Sequence, residues 1–325
     1  MLDVCLLGTG GMMPLPHRWL TSLLIRYHGR MILIDCGEGT QIPLKVAGWG
    51  FKTIDAILFT HYHADHIAGL PGLLLTIGNS GREEPLTLMG PPGLKKVIAG
   101  LTVICPELPY ELSLIERSDL EISETCLSSL DIRSIPVDHT QPCLSYCIEL
   151  KRRGEFNVKR AQELSIPLKH WNSLQKGMII TLEGKTVSPE MVLGEMRKGI
   201  KVCYSTDTRP TDGLVEFIND SDLFVCEGMY GDEDNYGKAV QKKHMMFSEA
   251  GLLAKQGGAK ELWLTHYSPS LTNPEEYIKA VGAIFTNTVA GRDLLFKTIQ
   301  YPSELVQLKL NIETSVEEST PTEAE

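Results

Sequence analysis

A run of six residues at positions 61–66, holding three histidines and an aspartate, constrains this chain more than any other feature. It reads His-Tyr-His-Ala-Asp-His and directly follows a short apolar segment. Imidazole nitrogens and carboxylate oxygens are the ligands that zinc-class ions prefer. His61 and His63 would diverge on a helix but can converge at the end of a strand. Asp65 and His66 then lie past the bend and can face a second ion.

Short β-rich runs alternate with helical stretches along the chain. Apolar periodicity, with glycine and proline between the runs, predicts strands at residues 2–7, 22–27, 31–35, 54–60, 86–89, 131–136, 144–150, 200–204, 222–226 and 261–265. Helices are predicted at residues 68–78, 93–101, 211–219, 246–256 and 274–285. The alternation indicates a layered α/β domain rather than a helical bundle or an all-β sandwich.

Three further candidate ligands share the position of the 61–66 cluster. His139, Asp207 and His266 each stand just past the end of a predicted strand. Four such strand ends in one chain predict a binuclear metal centre at a sheet edge. The predicted ligands of the first ion are His61, His63 and His139, those of the second are Asp65, His66 and His266, and Asp207 bridges the two.

This ligand set leaves open coordination at each ion, which is typical of a catalytic rather than a structural site. Two ions about 3.5–4 Å apart can lower the pKa of a shared water, so that hydroxide becomes the nucleophile, and can hold a phosphoryl oxygen during displacement. The nitrogen-rich first site favours zinc, with manganese or iron as alternatives. We therefore expect two ions per subunit.

Composition limits the remaining classes. No segment approaches the roughly 18 apolar residues that span a bilayer, and the N-terminus lacks the features of a signal peptide, so a cytoplasmic protein with no membrane contact is expected. The net charge is −10.

Eight scattered cysteines form no Cys-x-x-Cys pair. Most lie in apolar strand-like contexts, which predicts small buried thiols rather than disulfides or a zinc knuckle.

Charge is distributed unevenly along the chain. Residues 151–185 carry eight Lys or Arg against three Glu, within a stretch of weaker core patterning. This segment is interpreted as an inserted basic arm, and either a polyanion-binding surface or an ordinary solvated face would explain its charge. Residues 311–325 carry five glutamates and no base, which is typical of a disordered acidic tail. The predicted main domain therefore spans residues 1–310, including the arm.

The motifs around the metal cluster resemble those of ribonuclease Z, the tRNA 3′-processing branch of the metallo-β-lactamase superfamily. The resemblance rests on Leu6-Leu7-Gly8-Thr9-Gly10, on Ile34-Asp35-Cys36-Gly37-Glu38-Gly39-Thr40-Gln41, on residues 60–70, on Ser205-Thr206-Asp207-Thr208-Arg209-Pro210 and on Leu264-Thr265-His266. It implies an αββα sandwich with an inserted arm and a metal-dependent endoribonuclease that removes the 3′ trailer of precursor tRNA. It also implies a homodimer.

The same resemblance implies catalytic roles for three residues. Asp65 would act as general base, His244 would protonate the leaving 3′ oxygen, and Glu227 would orient His244. The chain departs from the family's Gly-Pro element in the arm, where Leu168-Lys169-His170-Trp171 stands instead. This departure favours an alternative function, a related phosphodiesterase or arylsulfatase-like hydrolase acting on a small substrate. A non-catalytic nucleic-acid-binding module is a third, less favoured hypothesis, because every expected catalytic residue is present.

Overall fold

The computed structural model of the chain describes residues 1–105, 107–182 and 184–302. These residues form two compact units. The first consists of Met1–Leu150 and Lys201–Gln300, and the second is built around Lys151–Ile200. The acidic tail predicted at residues 311–325 lies outside the described residues. Within the described ranges, the helices are all too short or too polar to cross a membrane.

The described residues contain sixteen strands. They are β1 (Leu2–Gly8), β2 (Ser22–Tyr27), β3 (Arg30–Ile34), β4 (Ile54–Leu58), β5 (Leu86–Gly90), β6 (Leu112–Glu116), β7 (Ser123–Leu127), β8 (Leu130–Val137), β9 (Cys143–Arg152), β10 (Ile180–Leu182), β11 (Lys185–Val187), β12 (Arg197–Ser205), β13 (Leu223–Glu227), β14 (Leu262–Thr265), β15 (Thr288–Ala290) and β16 (Leu295–Ile299).

Ten α-helices connect these strands in the described part of the chain. They are α1 (Gln41–Ala47), α2 (Ala64–Ile67), α3 (Leu70–Asn79), α4 (Leu94–Leu101), α5 (Val158–Glu163), α6 (Trp171–Gln175), α7 (Asp212–Ile218), α8 (Tyr236–Lys242), α9 (Phe247–Gln256) and α10 (Glu275–Gly282).

The first unit contains two seven-stranded sheets. Their strand orders are β16-β1-β2-β3-β4-β5-β6 and β15-β14-β13-β12-β9-β8-β7. In the first sheet β3 to β6 are parallel, whereas β16, β1 and β2 pair antiparallel. In the second sheet β12 to β15 are parallel and β7 to β9 antiparallel. The carboxyl ends of the parallel strands therefore lie together at one edge of each sheet, where ligands commonly bind.

Each sheet packs one face against its own helices and its other face against the opposite sheet. Apolar residues of α1, α3 and α4 form one core with the first sheet, and those of α7 and α9 form another with the second. Between the sheets, the Tyr146 hydroxyl donates to the Phe59 carbonyl at 2.8 Å, and the Thr21 and Thr265 hydroxyls lie 2.8 Å apart. The predicted αββα sandwich is confirmed.

The second unit has a small core of its own. Its buried residues are Ala161, Ile166, Leu174, Val187 and Val192. The Asn157 side chain caps α5 by accepting from the Arg160 amide at 3.0 Å. The hairpin of β10 and β11 completes the unit. The arm predicted at residues 151–185 lies within it.

All ten predicted strands and all five predicted helices are present, with ends shifted by up to three residues. Six strands were not predicted. Four of them, β6, β7, β15 and β16, are the outermost strands of the two sheets, and the other two form the isolated hairpin. Edge strands have only one paired side and need no continuous apolar run. The burial of β7, for example, alternates between half-buried and exposed residues.

The prediction that the cysteines form no disulfide was wrong for one pair. Cys147 on β9 and Cys203 on β12 form a disulfide bond. The two strands are neighbours in the second sheet and bring the Cα atoms within 4.1 Å. Sequence alone does not show this register, because 56 residues separate the two cysteines. Of the six free cysteines, four are buried as predicted, Cys105 is half-buried and Cys126 is exposed.

Candidate metal centre

The predicted ligands converge because each follows the carboxyl end of a strand or the short helix beyond it. His61 and His63 follow β4, and α2 carries the next two ligands. His139 follows β8, Asp207 follows β12 and His266 follows β14. Two groups contain the predicted ligands, each with all its ligand atoms within 4.8 Å of one another: His61, His63, His139 and Asp207 in the first, and Asp65, His66 and His266 in the second. A third set, Asp207, Glu227, His244 and His266, meets the same distance criterion.

In the first group three imidazole nitrogens face one another. His61 Nε2 lies 2.8 Å from His63 Nδ1, which lies 3.3 Å from His139 Nε2. His61 Nε2 is also 3.0 Å from Asp207 Oδ2. These residues come together from three separate strand ends, as the sequence predicted.

In the second group His66 Nε2 lies 3.1 Å from His266 Nε2. Asp65 Oδ2 lies 3.6 Å from the His66 nitrogen and 3.5 Å from the His266 nitrogen. Asp207 Oδ2 is 2.9 Å from His66 Nε2, so the same oxygen touches both groups. This is the position that a bridging carboxylate would occupy.

The donor atoms fit divalent ions. A neutral imidazole carries one proton, so clustered ring nitrogens cannot all satisfy one another by hydrogen bonds, whereas a shared cation satisfies them together. Among the described residues, buried Asp207 Oδ1 and His266 Nδ1 lie 3.1 Å apart, yet neither forms a hydrogen bond of good geometry; an ion is one explanation for buried polar atoms of this kind. Nitrogen and carboxylate donors in this mixture suit zinc-class ions.

Protonation in the first group also suits metal binding, because metals bind the unprotonated ring nitrogen. Burial lowers the pKa of His61 and of His139 to about 4. Burial also lowers the pKa of His63. These three imidazoles are therefore neutral near pH 7, with a lone pair available to an ion.

The two carboxylates of the centre stay ionised. Burial alone would raise the pKa of Asp207, but the charges of His266 and His66 and a hydrogen bond from His244 hold that pKa well below its usual range. Burial also opposes ionisation of Asp65, yet interaction with His266 and the charge of His66 lower the pKa of Asp65. The chain thus presents negative oxygens to both groups of candidate ligands.

His244 and Glu227 lie beside this centre, as the family resemblance implied. His244 Nδ1 is 3.0 Å from Glu227 Oε2 and 3.3 Å from Asp207 Oδ1. Glu227 is fully buried at the end of β13, and its Oε1 accepts from the Thr208 amide at 2.6 Å. Burial opposes charging of His244, but Glu227 and Asp207 raise its pKa to about 10. Nδ1 is therefore the His244 ring nitrogen that is directed at the carboxylates.

Sequence reasoning missed the residues that orient the ligands. Asp35, fully buried after β3, accepts from His66 Nδ1 at 2.9 Å and from the Thr60 amide at 2.8 Å. The Lys243 carbonyl accepts from His139 Nδ1 at 3.2 Å. Such partners fix which ring nitrogen faces the metal. Asp35 could have been found from the sequence, because it is an acidic residue directly after an apolar strand. The Lys243 carbonyl could not, because a backbone group has no sequence signature.

Five residues in and around the centre have left-handed backbone conformations that L-amino acids rarely adopt. The φ angles are 53° at Asp207, 57° at His266, 62° at Asp35, 56° at Lys243 and 68° at Met12. The Met12 amide donates to Asp65 Oδ2 at 2.6 Å. Such conformations cost about 1–3 kcal/mol each and gather at functional sites, where the surroundings hold them. The chain therefore uses backbone strain to direct these groups.

Comparison with solved structures defines the class of protein. Human tRNase Z, short form, superimposes with a TM-score of 0.64 at 23% identity, covering 93% of this chain and 100% of that one. The metallo-β-lactamase fold protein YhfI from Bacillus subtilis gives a TM-score of 0.65 at 20% identity, covering 91% and 98%. A family model described as Anti-Pycsar protein Apyc1 matches residues 2–99. The chain thus has the metallo-β-lactamase fold.

Closer relatives narrow this class. Ribonuclease Z from Clostridium acetobutylicum is 56% identical over 307 residues, which cover 93% of this chain and 99% of the relative. Ribonuclease Z from Lachnoclostridium phytofermentans is 52% identical over 301 residues, with the same coverage. The chain belongs to the ribonuclease Z family and is a metal-dependent phosphodiesterase. The resemblance predicted from the motifs is confirmed.

Proposed function

We propose that this chain removes the 3′ trailer of precursor tRNA by hydrolysing one phosphodiester bond after the discriminator base, leaving a 3′-hydroxyl on the tRNA. The observation that carries the proposal is the grouping of seven candidate ligands with the His244–Glu227 pair beside them. Membership of the ribonuclease Z family supports the same RNA substrate. Precursor tRNA as substrate would place the enzyme in the cytoplasm.

The proposed cofactor is a pair of zinc ions, with manganese or iron as alternatives. His61, His63 and His139 would hold one ion and Asp65, His66 and His266 the other, with Asp207 touching both. When bound, two such ions supply Lewis-acid polarisation of the phosphate and acidify a water.

Two side chains would move protons during hydrolysis. Asp65 would take a proton from the attacking water, and the Met12 amide fixes its Oδ2 at 2.6 Å. His244 would give a proton to the leaving ribose oxygen, since Glu227 favours its protonated form and holds its Nδ1. One group that accepts and one that donates meet the needs of phosphodiester hydrolysis.

The basic second unit would hold the body of the tRNA. Lys159, Arg160, Lys169 and Lys176 are exposed on it and can reach backbone phosphates. We propose the corresponding division of the chain: a hydrolase domain over residues 1–310 with its inserted arm at about 151–185, and an acidic tail over 311–325. A homodimer is proposed on the family resemblance.

The test is cleavage of a precursor tRNA with a 3′ trailer by the purified, zinc-loaded protein. The expected result is cleavage at one junction, with the 3′ end of the tRNA product mapped to its discriminator base. Turnover of bis-p-nitrophenyl phosphate without any tRNA cleavage would refute the proposal and favour the small-substrate alternative. The altered arm element at residues 168–171 is the observation behind that second candidate.

A further inference from the structure

Arg209 lies two residues beyond Asp207 and contacts the segment that carries His244. Its Nη1 donates to the His244 carbonyl at 2.5 Å and to Glu249 Oε2 at 2.9 Å. Its Nη2 donates to the other Glu249 oxygen, which makes a bidentate pair. The Arg209 and Glu249 side chains are only 14% and 17% exposed. Neither belongs to the groups of candidate metal ligands.

His244 lies in the short connection between α8 and α9, where its backbone needs external support. Its amide donates to the Ala239 carbonyl at 2.9 Å. Its carbonyl accepts from Arg209, and the Met246 amide donates to Glu249 Oε2 at 2.9 Å. Glu249 therefore joins the start of α9 to Arg209, and Arg209 joins both to the peptide of His244. Hydrogen bonds therefore hold the backbone of this connection both before and after the His244 side chain.

Three consecutive residues after β12 contact three different parts of the centre. Asp207 Oδ2 lies 3.0 Å from His61 Nε2 in the first group and 2.9 Å from His66 Nε2 in the second. The Thr208 amide donates to Glu227 Oε1 at 2.6 Å, and Arg209 donates to the His244 carbonyl. The candidate proton donor and the carboxylate that orients it are therefore both tied to the loop that carries the shared ligand. A displacement of about 1 Å at a reacting group can reduce a rate 100-fold, so this loop can control where the proton is delivered.

We infer that Arg209 and Glu249 form a positioning pair that places the His244 imidazole for proton transfer to the leaving oxygen. The inference rests on the proposed role of His244. The side-chain hydrogen bonds of the pair reach the peptide of one proposed catalytic residue, His244. The inference therefore distinguishes the pair from residues that hold metal or bind RNA. The pair should consequently matter only when the leaving group needs a proton.

Two substrates of the zinc-loaded enzyme separate these effects. A precursor tRNA has a ribose leaving oxygen that needs protonation, whereas the nitrophenolate of bis-p-nitrophenyl phosphate leaves without it. For Arg209→Met we expect kcat on precursor tRNA to fall about 10- to 100-fold. We expect its KM, its zinc content and its turnover of the nitrophenyl diester to change less than about threefold. Glu249→Gln keeps the shape of the side chain and should give a smaller loss of the same kind.

A matched control is Arg133→Met, which breaks another partly buried arginine–carboxylate pair, Arg133–Glu149, on β8 and β9 of the same sheet. It should leave kcat on precursor tRNA within about twofold of wild type. Equal losses on both substrates for Arg209→Met and Glu249→Gln would overturn the inference, because they would indicate general damage to the centre.

A double variant tests whether the pair acts through His244. Arg209→Met should add little to the loss caused by His244→Ala, since residues that act as a unit are not additive. Additive losses would show that Arg209 acts elsewhere and would overturn the inference. If His244→Ala itself leaves precursor tRNA cleavage unchanged, the proposed proton donor is wrong and the inference falls with it. Nuclease activity in that variant would still support the proposed substrate.

Discussion

Replacing Asp35 by asparagine should reverse the tautomer of His66. The Thr60 amide donates to Asp35 Oδ1 at 2.8 Å, so an oxygen must remain at that position. The new NH2 group would then take the place of Oδ2, which accepts from His66 Nδ1 at 2.9 Å and from the Tyr204 hydroxyl at 3.3 Å. Because this NH2 group donates, His66 Nδ1 would have to accept a hydrogen bond from it, and the ring proton of His66 would move to Nε2. Nε2 is the nitrogen directed at His266 and Asp207.

The size of the effect follows from the bond that is lost. A buried hydrogen bond to a charged group contributes about 1.5–3 kcal/mol. Changes to such supporting partners of metal-bound histidines weaken metal binding about 10- to 100-fold, or about 1.4–2.7 kcal/mol. The two estimates agree. Asparagine has nearly the same size as aspartate and tolerates the left-handed backbone at position 35. The variant should therefore fold, and the loss should appear in metal affinity.

Competition with a chromophoric zinc chelator measures this affinity directly. We expect zinc binding to the second ligand group to weaken about 10- to 100-fold, and excess zinc to restore part of the precursor tRNA cleavage. Tyr204→Phe is the control, because it removes the longer 3.3 Å contact to the same carboxylate and a 3.5 Å contact with the Thr21 hydroxyl but leaves the contact between Asp35 and His66, and it should change affinity less than about threefold. Wild-type zinc affinity in a folded Asp35→Asn variant would refute the tautomer argument.

Three further outcomes are expected. Asp65→Ala should abolish precursor tRNA cleavage in single-turnover assays, whereas Asp234→Asn, on an exposed turn, should not change it. Replacing residues 156–193 by a short Gly-Ser linker should weaken tRNA binding but spare nitrophenyl diester hydrolysis. A short linker can close the gap because the Gly194 amide donates to the Glu155 carbonyl at 2.8 Å. Loss of both activities would contradict the arm assignment. Thiol titration of the unfolded, unreduced protein should find six free cysteines. Reductant should lower the free energy of unfolding by about 2–4 kcal/mol, the typical contribution of one disulfide bond. Eight titratable thiols would show that the disulfide does not form in solution.

The grouping of the candidate metal ligands was predictable because clustered histidines and aspartates at strand ends have few other roles. Histidines and aspartates directly after apolar strands lie at the carboxyl ends of those strands, and the carboxyl ends of parallel strands lie side by side in a sheet. His139, Asp207 and His266 were each weak candidates alone, and their shared strand-end position identified them. Pairing between strands that are distant in sequence does not leave such a signal. For that reason the disulfide between Cys147 and Cys203 was missed.

Groups that orient the ligands were harder to predict. The Lys243 carbonyl and the Met12 amide act through the backbone, so their side chains carry no information about the contact. Their left-handed conformations also favour glycine, yet neither residue is glycine. Local sequence preference is overridden here by the tertiary contacts of the centre. Such conflicts between local and global preference are expected at functional sites.

The second unit shows how a departure from family sequence can be compensated within the fold. Trp171, in the segment that replaces the expected Gly-Pro element, packs inside the unit rather than facing solvent. Its Nε1 donates to the Ile166 carbonyl at 2.9 Å, and its ring lies 5.2 Å from that of Phe156. Lys169 remains exposed two residues earlier. The substitution therefore contributes to the core of the arm while leaving its basic surface available, and this argues against reading the departure as loss of RNA binding.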